Sequence, residues 1–81
     1  IYNKENGIAL DCYTDLPGVH VYTGTFLDVT GKKGTYHGKF AGVCLETQGA
    51  PNSMNIRYFP SPILKAGEEY YSKTVYKAYV K

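Results

Sequence analysis

The sequence predicts an all-β fold: an antiparallel sheet whose strands are joined by long irregular loops. Three observations predict it. Several short segments alternate apolar and polar residues with a period of two, the signature of a strand with one covered face. β-Branched and aromatic residues fill those segments; nine tyrosines, with no tryptophan, suit half-buried sheet faces that are dry at the ring and wet at the hydroxyl. Glycine- and proline-rich stretches separate them.

The first strand is Ile8 to Thr14. Ile8, Leu10 and Cys12 share one face, Asp11 and Tyr13 the other. Asn6-Gly7 before it fits a tight turn, which makes Ile1-Tyr2-Asn3 its hairpin partner. Asp15-Leu16-Pro17-Gly18 is a turn: proline presets the bend and glycine accepts a positive φ. Val19 to Thr23 alternates again, with His20 and Tyr22 on one side, and Gly24 interrupts it. Asp28 to Gly38 is polar and holds three glycines, a surface loop. Phe40 to Glu46 is the next strand. Gly49 to Pro62 contains Pro51, Pro60 and Pro62, so it cannot sit in a central ladder and is an ordered loop. After the short apolar step Ile63-Leu64 and a turn at Ala66 to Glu69, Tyr70 to Val80 is the last strand. Strands that alternate need a second layer, and long loops rest on a scaffold larger than themselves. The sequence therefore looks like part of a bigger sheet.

Composition narrows the function. With 81 residues the chain is one small domain with a limited core. A net charge of +2 comes from scattered lysines with no run longer than two, which argues against nucleic acid. No apolar stretch is long enough for a membrane helix, and the first residues lack the pattern of a signal peptide. The chain opens on Ile rather than Met and is expected to be a processed product or a fragment. Cys12 and Cys44 are far apart, with no CxxC pattern; free thiols in a reducing compartment are favoured over a single disulfide. No metal is expected, because no third and fourth soft ligand stands at workable spacing.

Glu46 draws attention because it sits in the short, otherwise apolar run Gly42-Val43-Cys44-Leu45-Glu46-Thr47-Gln48. A carboxylate buried there is costly unless it is paired or has a task. It shares strand parity with Cys44 and Gln48, so a pocket is expected on that face. The bland alternative is a carboxylate at a strand end, satisfied by backbone amides or a lysine.

The order of motifs carries a resemblance. Thr14-Asp15-Leu16-Pro17-Gly18-Val19-His20-Val21-Tyr22-Thr23-Gly24 resembles the "T-x-x-P-G-V-Q-x-Y-T-G" stretch of the aldose 1-epimerases, or galactose mutarotases. Leu45-Glu46-Thr47-Gln48 is similar to that family's "L-E-T-Q". Asn55, Phe59-Pro60-Ser61 and Leu64 to Tyr70 resemble the tail "N…F-P-S…L-x-P-G-E-x-Y". Order and spacing agree across nearly the full chain, residues 1–81, which resembles the C-terminal segment of a much longer, twisted antiparallel β-sandwich.

The resemblance implies interconversion of the α and β anomers of free aldohexoses such as galactose or glucose, without metal or organic cofactor, in the cytoplasm. It implies that Glu46 is the general base taking the proton of the C1 hydroxyl while a histidine protonates the ring oxygen. That acid histidine, and the other residues that grip the sugar, lie in the family before the matched stretch, so the isolated chain is expected to be inactive. It is also expected to associate with that upstream portion or with itself. The family's sugar-contacting glutamine is His20 here, and a basic–histidine pair before the glutamate strand is Lys39-Phe40. Candidate sugar-binding residues are His20 and Gln48, the latter also suited to orienting Glu46. His37 is expected to be solvated, and Asn55 to tie down the proline-rich loop. The competing reading is a non-catalytic carbohydrate-binding or structural β-module.

Overall fold

The computed structural model describes residues 1–81. It is all-β, built from three two-stranded antiparallel sheets. Strand β1 (Ile8–Thr14) pairs with β6 (Thr74–Val80), from Ile8 opposite Val80 to Thr14 opposite Thr74. Strand β2 (Gly18–Tyr22) pairs with β5 (Cys44–Gln48). Between them, β3 (Val29–Thr30) and β4 (Tyr36–His37) form a small hairpin.

The amino terminus folds back as the Asn6-Gly7 turn predicts. Tyr2 bridges Ala9, and Gly7, at φ +74°, donates its N–H to the Asn3 carbonyl at 2.9 Å. The Ile1 and Leu10 backbones exchange two hydrogen bonds, one from the terminal ammonium.

Several boundaries differ from the sequence expectation. β2 starts at Gly18, which stays extended instead of taking a positive φ in the turn, and it ends at Tyr22 rather than Thr23. The strand placed at Phe40–Glu46 runs instead from Cys44 to Gln48. Phe40 has φ +64°, which no strand residue adopts, and its N–H donates to the Gly24 carbonyl at 3.0 Å, turning the chain just before β5. The last strand starts at Thr74, not Tyr70, because its partner β1 ends at Thr14 and the chain turns at Asp15. There Asp15 holds Lys73 on both sides: its N–H donates to the Lys73 carbonyl at 3.3 Å, and its Oδ1 accepts the Lys73 N–H at 3.0 Å. The polar stretch Asp28–Gly38 holds the β3–β4 hairpin around a single 3₁₀ turn at Lys32–Gly34, with Tyr36 Oη donating to Asp28 Oδ1 at 2.8 Å.

Little of this is covered. Ala9 and Gly24 alone are buried, and Val19 and Val21 remain about half exposed. The sheets carry alternating faces that no second layer of these residues covers. The gap between β1 and the β2–β5 pair is a concavity of about 600 Å³, lined in part by Leu10, Cys12, Leu16, Val19 and Leu45. No helix is long and apolar enough to cross a membrane.

Candidate active site

The β2–β5 ladder sets the geometry. Its register places His20 directly opposite Glu46, with Gly18 opposite Gln48 and Tyr22 opposite Cys44. Directly opposed residues project to the same side, their Cβ atoms about 4.5–5.5 Å apart. The three residues singled out from sequence, His20, Glu46 and Gln48, therefore share one face. Val19, Val21, Leu45 and Thr47 project to the other, toward β1 and β6.

Two expectations about Glu46 are corrected. Its side chain is exposed rather than buried, and it lines none of the three concavities of the chain. The apolar neighbours Val43 and Leu45 alternate away from it, so they supply no cover on its own side. The large concavity lies behind the strand. Most residues here are exposed, although Leu45, Thr47 and Gln48 beside Glu46 are half-buried.

The side-chain hydrogen bonds of β5 belong to its neighbours. Gln48 Nε2 donates to the adjacent Gly49 carbonyl at 3.1 Å, so the amide bends along its own strand. Thr47 Oγ1 meets Thr74 Oγ1 at 2.7 Å. Tyr76 Oη donates to the Leu45 carbonyl at 2.6 Å. These contacts from β6 were not anticipated. Period two was the available signal, since it sends residues 45 and 47 to the face opposite Glu46 and gives Thr74 and Tyr76 a shared face of β6.

The end of β2 is fixed by Gly24. It adopts φ +75°, and its carbonyl accepts the N–H groups of Leu27 and Phe40 at 3.1 and 3.0 Å. A Cβ there would stand 2.8 Å from the Gly42 carbonyl oxygen and 2.8 Å from Leu27 Cδ1. Tyr22 Oη accepts the Phe26 N–H at 2.8 Å and closes the same turn. The stretch Tyr22-Thr23-Gly24 is thus a backbone device that brings the approach to β5 against the end of β2.

Cys12 and Cys44 are free thiols on different sheets. No cluster of three or more His, Cys, Asp or Glu side chains is disposed to hold a metal ion. His37 lies on the exposed β4. Asn55 closes the turn it shares with Asn52, through backbone at 3.0 Å and side chain at 2.6 Å.

Comparison with known proteins gives a consistent picture. The family model described as aldose 1-epimerase matches residues 1–77. A galactose mutarotase from Mus musculus is 49% identical over 79 residues, covering 95% of this chain and 23% of its own length. One from Sus scrofa is 47% identical over 72 residues, covering 86% and 21%. An aldose 1-epimerase from Escherichia coli is 34% identical over 80 residues, covering 95% and 23%. The crystal structure of an aldose epimerase homologue from C. elegans superposes with a TM-score of 0.83 at 31% identity, over 96% of this chain and 24% of that one. The chain thus spans less than a quarter of the length of the relatives it matches.

Proposed function

Because this chain belongs to the aldose 1-epimerase family, we propose that residues 1–81 are the C-terminal segment of an aldose 1-epimerase and carry its general base, Glu46. The substrate is a free aldohexose such as galactose or glucose, and no cofactor takes part. The observation that supports the reading is the placement of Glu46 in "L-E-T-Q", opposite His20 on an open sheet face.

The reaction needs one base and one acid. The Glu46 carboxylate takes the proton of the C1 hydroxyl, and the electron pair left on that oxygen forms the carbonyl. The bond between C1 and the ring oxygen breaks as the ring oxygen takes a proton from the acid. Rotation about the bond from C1 to C2 presents the other carbonyl face, and the reverse proton transfers close the opposite anomer. His20 and Gln48 contact the sugar: the imidazole offers one hydrogen bond where the family pattern has an amide. The acid is a residue outside this chain, contributed by the preceding portion of the enzyme, with which the segment associates. Two free thiols suit a reducing compartment, and we assign the protein to the cytoplasm.

Polarimetry on fresh α-D-galactose tests this. The 81-residue chain by itself should not accelerate mutarotation above background. In the native polypeptide that carries it, Glu46→Gln should lower kcat at least about 100-fold, the range removed with a positioned base. Wild-type rates in that variant would remove Glu46 from the role. The substitution of His20 into the sugar-contacting position favours a second reading, a carbohydrate-binding module without catalysis. In that case sugar would shift the NMR signals of His20 and Glu46 while E46Q left the background rate unchanged.

A further inference from the structure

We infer that Thr74 and Tyr76 of β6 are positioning residues for Glu46, holding the peptide on either side of it from behind; the inference rests on Glu46 being the base. Leu45 and Thr47 flank Glu46 and lie on the opposite face of β5. Each is held by a β6 side chain. The Tyr76 hydroxyl donates to the Leu45 carbonyl at 2.6 Å, and the Thr74 hydroxyl meets the Thr47 hydroxyl at 2.7 Å. The Thr47–Thr74 contact is partly buried, where a hydrogen bond is less exposed to competition from water.

The clamp has its own anchor. Thr74 Oγ1 also meets Thr14 Oγ1 at 3.2 Å, and Thr14 Oγ1 accepts the Leu16 N–H at 3.1 Å. A chain of three hydroxyls therefore runs from β5 through β6 to β1, ending on the turn that leads into β2, the strand bearing His20. One network thus joins β5 to the turn before β2 without meeting the open face of the candidate site. Tyr76 and Thr74 share one face of β6 because they are two residues apart, and the β1–β6 register keeps them there: Tyr76 stands opposite Cys12 and Thr74 opposite Thr14.

A base gives its full effect only when held within about half an ångström of the productive geometry. β5 lies in a two-stranded ladder with β2 as its only strand neighbour, so backbone pairing constrains it from one edge alone. The two β6 contacts add a second constraint, from outside that ladder. Displacing β5 leaves the sugar contact of His20, which stands on β2, nearly as it was but moves the Glu46 carboxylate relative to the C1 hydroxyl. The effect therefore falls on kcat.

The test uses the native polypeptide carrying these residues, with initial rates on α-D-galactose and thermal unfolding measured in parallel. Tyr76→Phe and Thr74→Val each remove one oxygen or hydroxyl function with little change of shape. The pair together should lower kcat about 10- to 100-fold while KM stays within about twofold, a misplacement effect. Thr74→Ser, which restores the hydroxyl, should regain kcat to within about threefold of the wild type. Should the double variant fail to fold, the two single variants carry the same comparison. Unchanged kcat in folded variants, equal losses in Thr74→Ser and Thr74→Val, or losses that vanish once rates are scaled to folded protein would each overturn the inference. E46Q run alongside separates the two levels: an active E46Q sinks the base assignment, whereas an inactive E46Q with fully active clamp variants sinks the clamp alone.

Discussion

His20 stands directly across the β2–β5 ladder from Glu46, so an imidazole and a carboxylate face the same side of one two-stranded sheet. The two lie far apart in sequence, and the register alone brings them together. Whatever occupies the space above Glu46 also meets His20.

That pairing predicts a split effect for His20. A side chain that holds sugar without moving a proton contributes binding shared by ground and transition states. Under this reading His20→Ala in the native polypeptide should raise KM about 3- to 10-fold, the size of one hydrogen bond, with kcat changed less than about twofold. His20→Gln should recover most of the loss. Initial-rate polarimetry over a range of sugar concentrations measures both, and an unaltered KM in His20→Ala would show that His20 makes no sugar contact.

Gly24 predicts a stability effect. Its positive φ and the 2.8 Å approach of the Gly42 carbonyl leave no room for a methyl group. Gly24→Ala should destabilise by about 1–3 kcal/mol, the range for a side chain forced into the left-handed region. Gly49→Ala is the control, since a Cβ at Gly49 meets nothing within 4 Å. Denaturant unfolding of the two variants should separate them clearly; equal midpoints would contradict the crowding at Gly24.

The Tyr36–Asp28 contact predicts an alkaline signature. The hydrogen bond to Asp28 is the main reason that the Tyr36 phenol is raised above 10.0, with desolvation adding to it. The folded state thus favours the protonated phenol. Any stabilisation of the β3–β4 hairpin from this source is fully present below about pH 10, the unfolded value, and is lost as pH rises through the higher folded value. Asp28→Asn should return the phenol toward its ordinary value. Ultraviolet titration of tyrosinate in the wild type and the variant measures the difference, and coincident curves would exclude the coupling. Tyr79 is also raised, first by desolvation and then by the charge of Asp11, so Asp28→Asn should leave its share of the titration in place.

Exposed edges and uncovered faces predict self-association of the 81-residue chain. Strands β2, β5 and β6 each pair along one edge only, and a lone two-stranded ladder is marginal in water. Sedimentation velocity at several concentrations should show mass rising with concentration. A folded monomer that persists on dilution would count against this expectation.

The parts of the fold legible in the sequence are those governed by local alternation. Ile8–Thr14 is a strand over its full expected range, and the Asn6-Gly7 turn is where the dipeptide places it. Misplaced boundaries trace to partners. Tyr70–Lys73 has strand composition but no ladder opposite it, and Phe40 is turned by a carbonyl sixteen residues earlier in the chain, that of Gly24. The β3–β4 hairpin contributes two residues to each strand, too few for alternation to register. At the site, parity correctly groups Glu46 with Gln48 on one face, while the expected burial of Glu46 does not appear. Period two says which residues share a face and nothing about what lies above it. The register with His20 is equally invisible, because the long loops between β2 and β5 fix no pairing.

The β1–β6 ladder joins residue 8 to residue 80 and residue 14 to residue 74, so its strands are nearly a chain length apart. The β2–β5 ladder closes at Tyr22 and Cys44, a loop roughly threefold shorter, and its closure entropy is lower by about 1 kcal/mol. Loop closure alone therefore favours early pairing of the sheet bearing His20 and Glu46, and substitutions in β2 and β5 should slow refolding more than matched ones in β1 and β6.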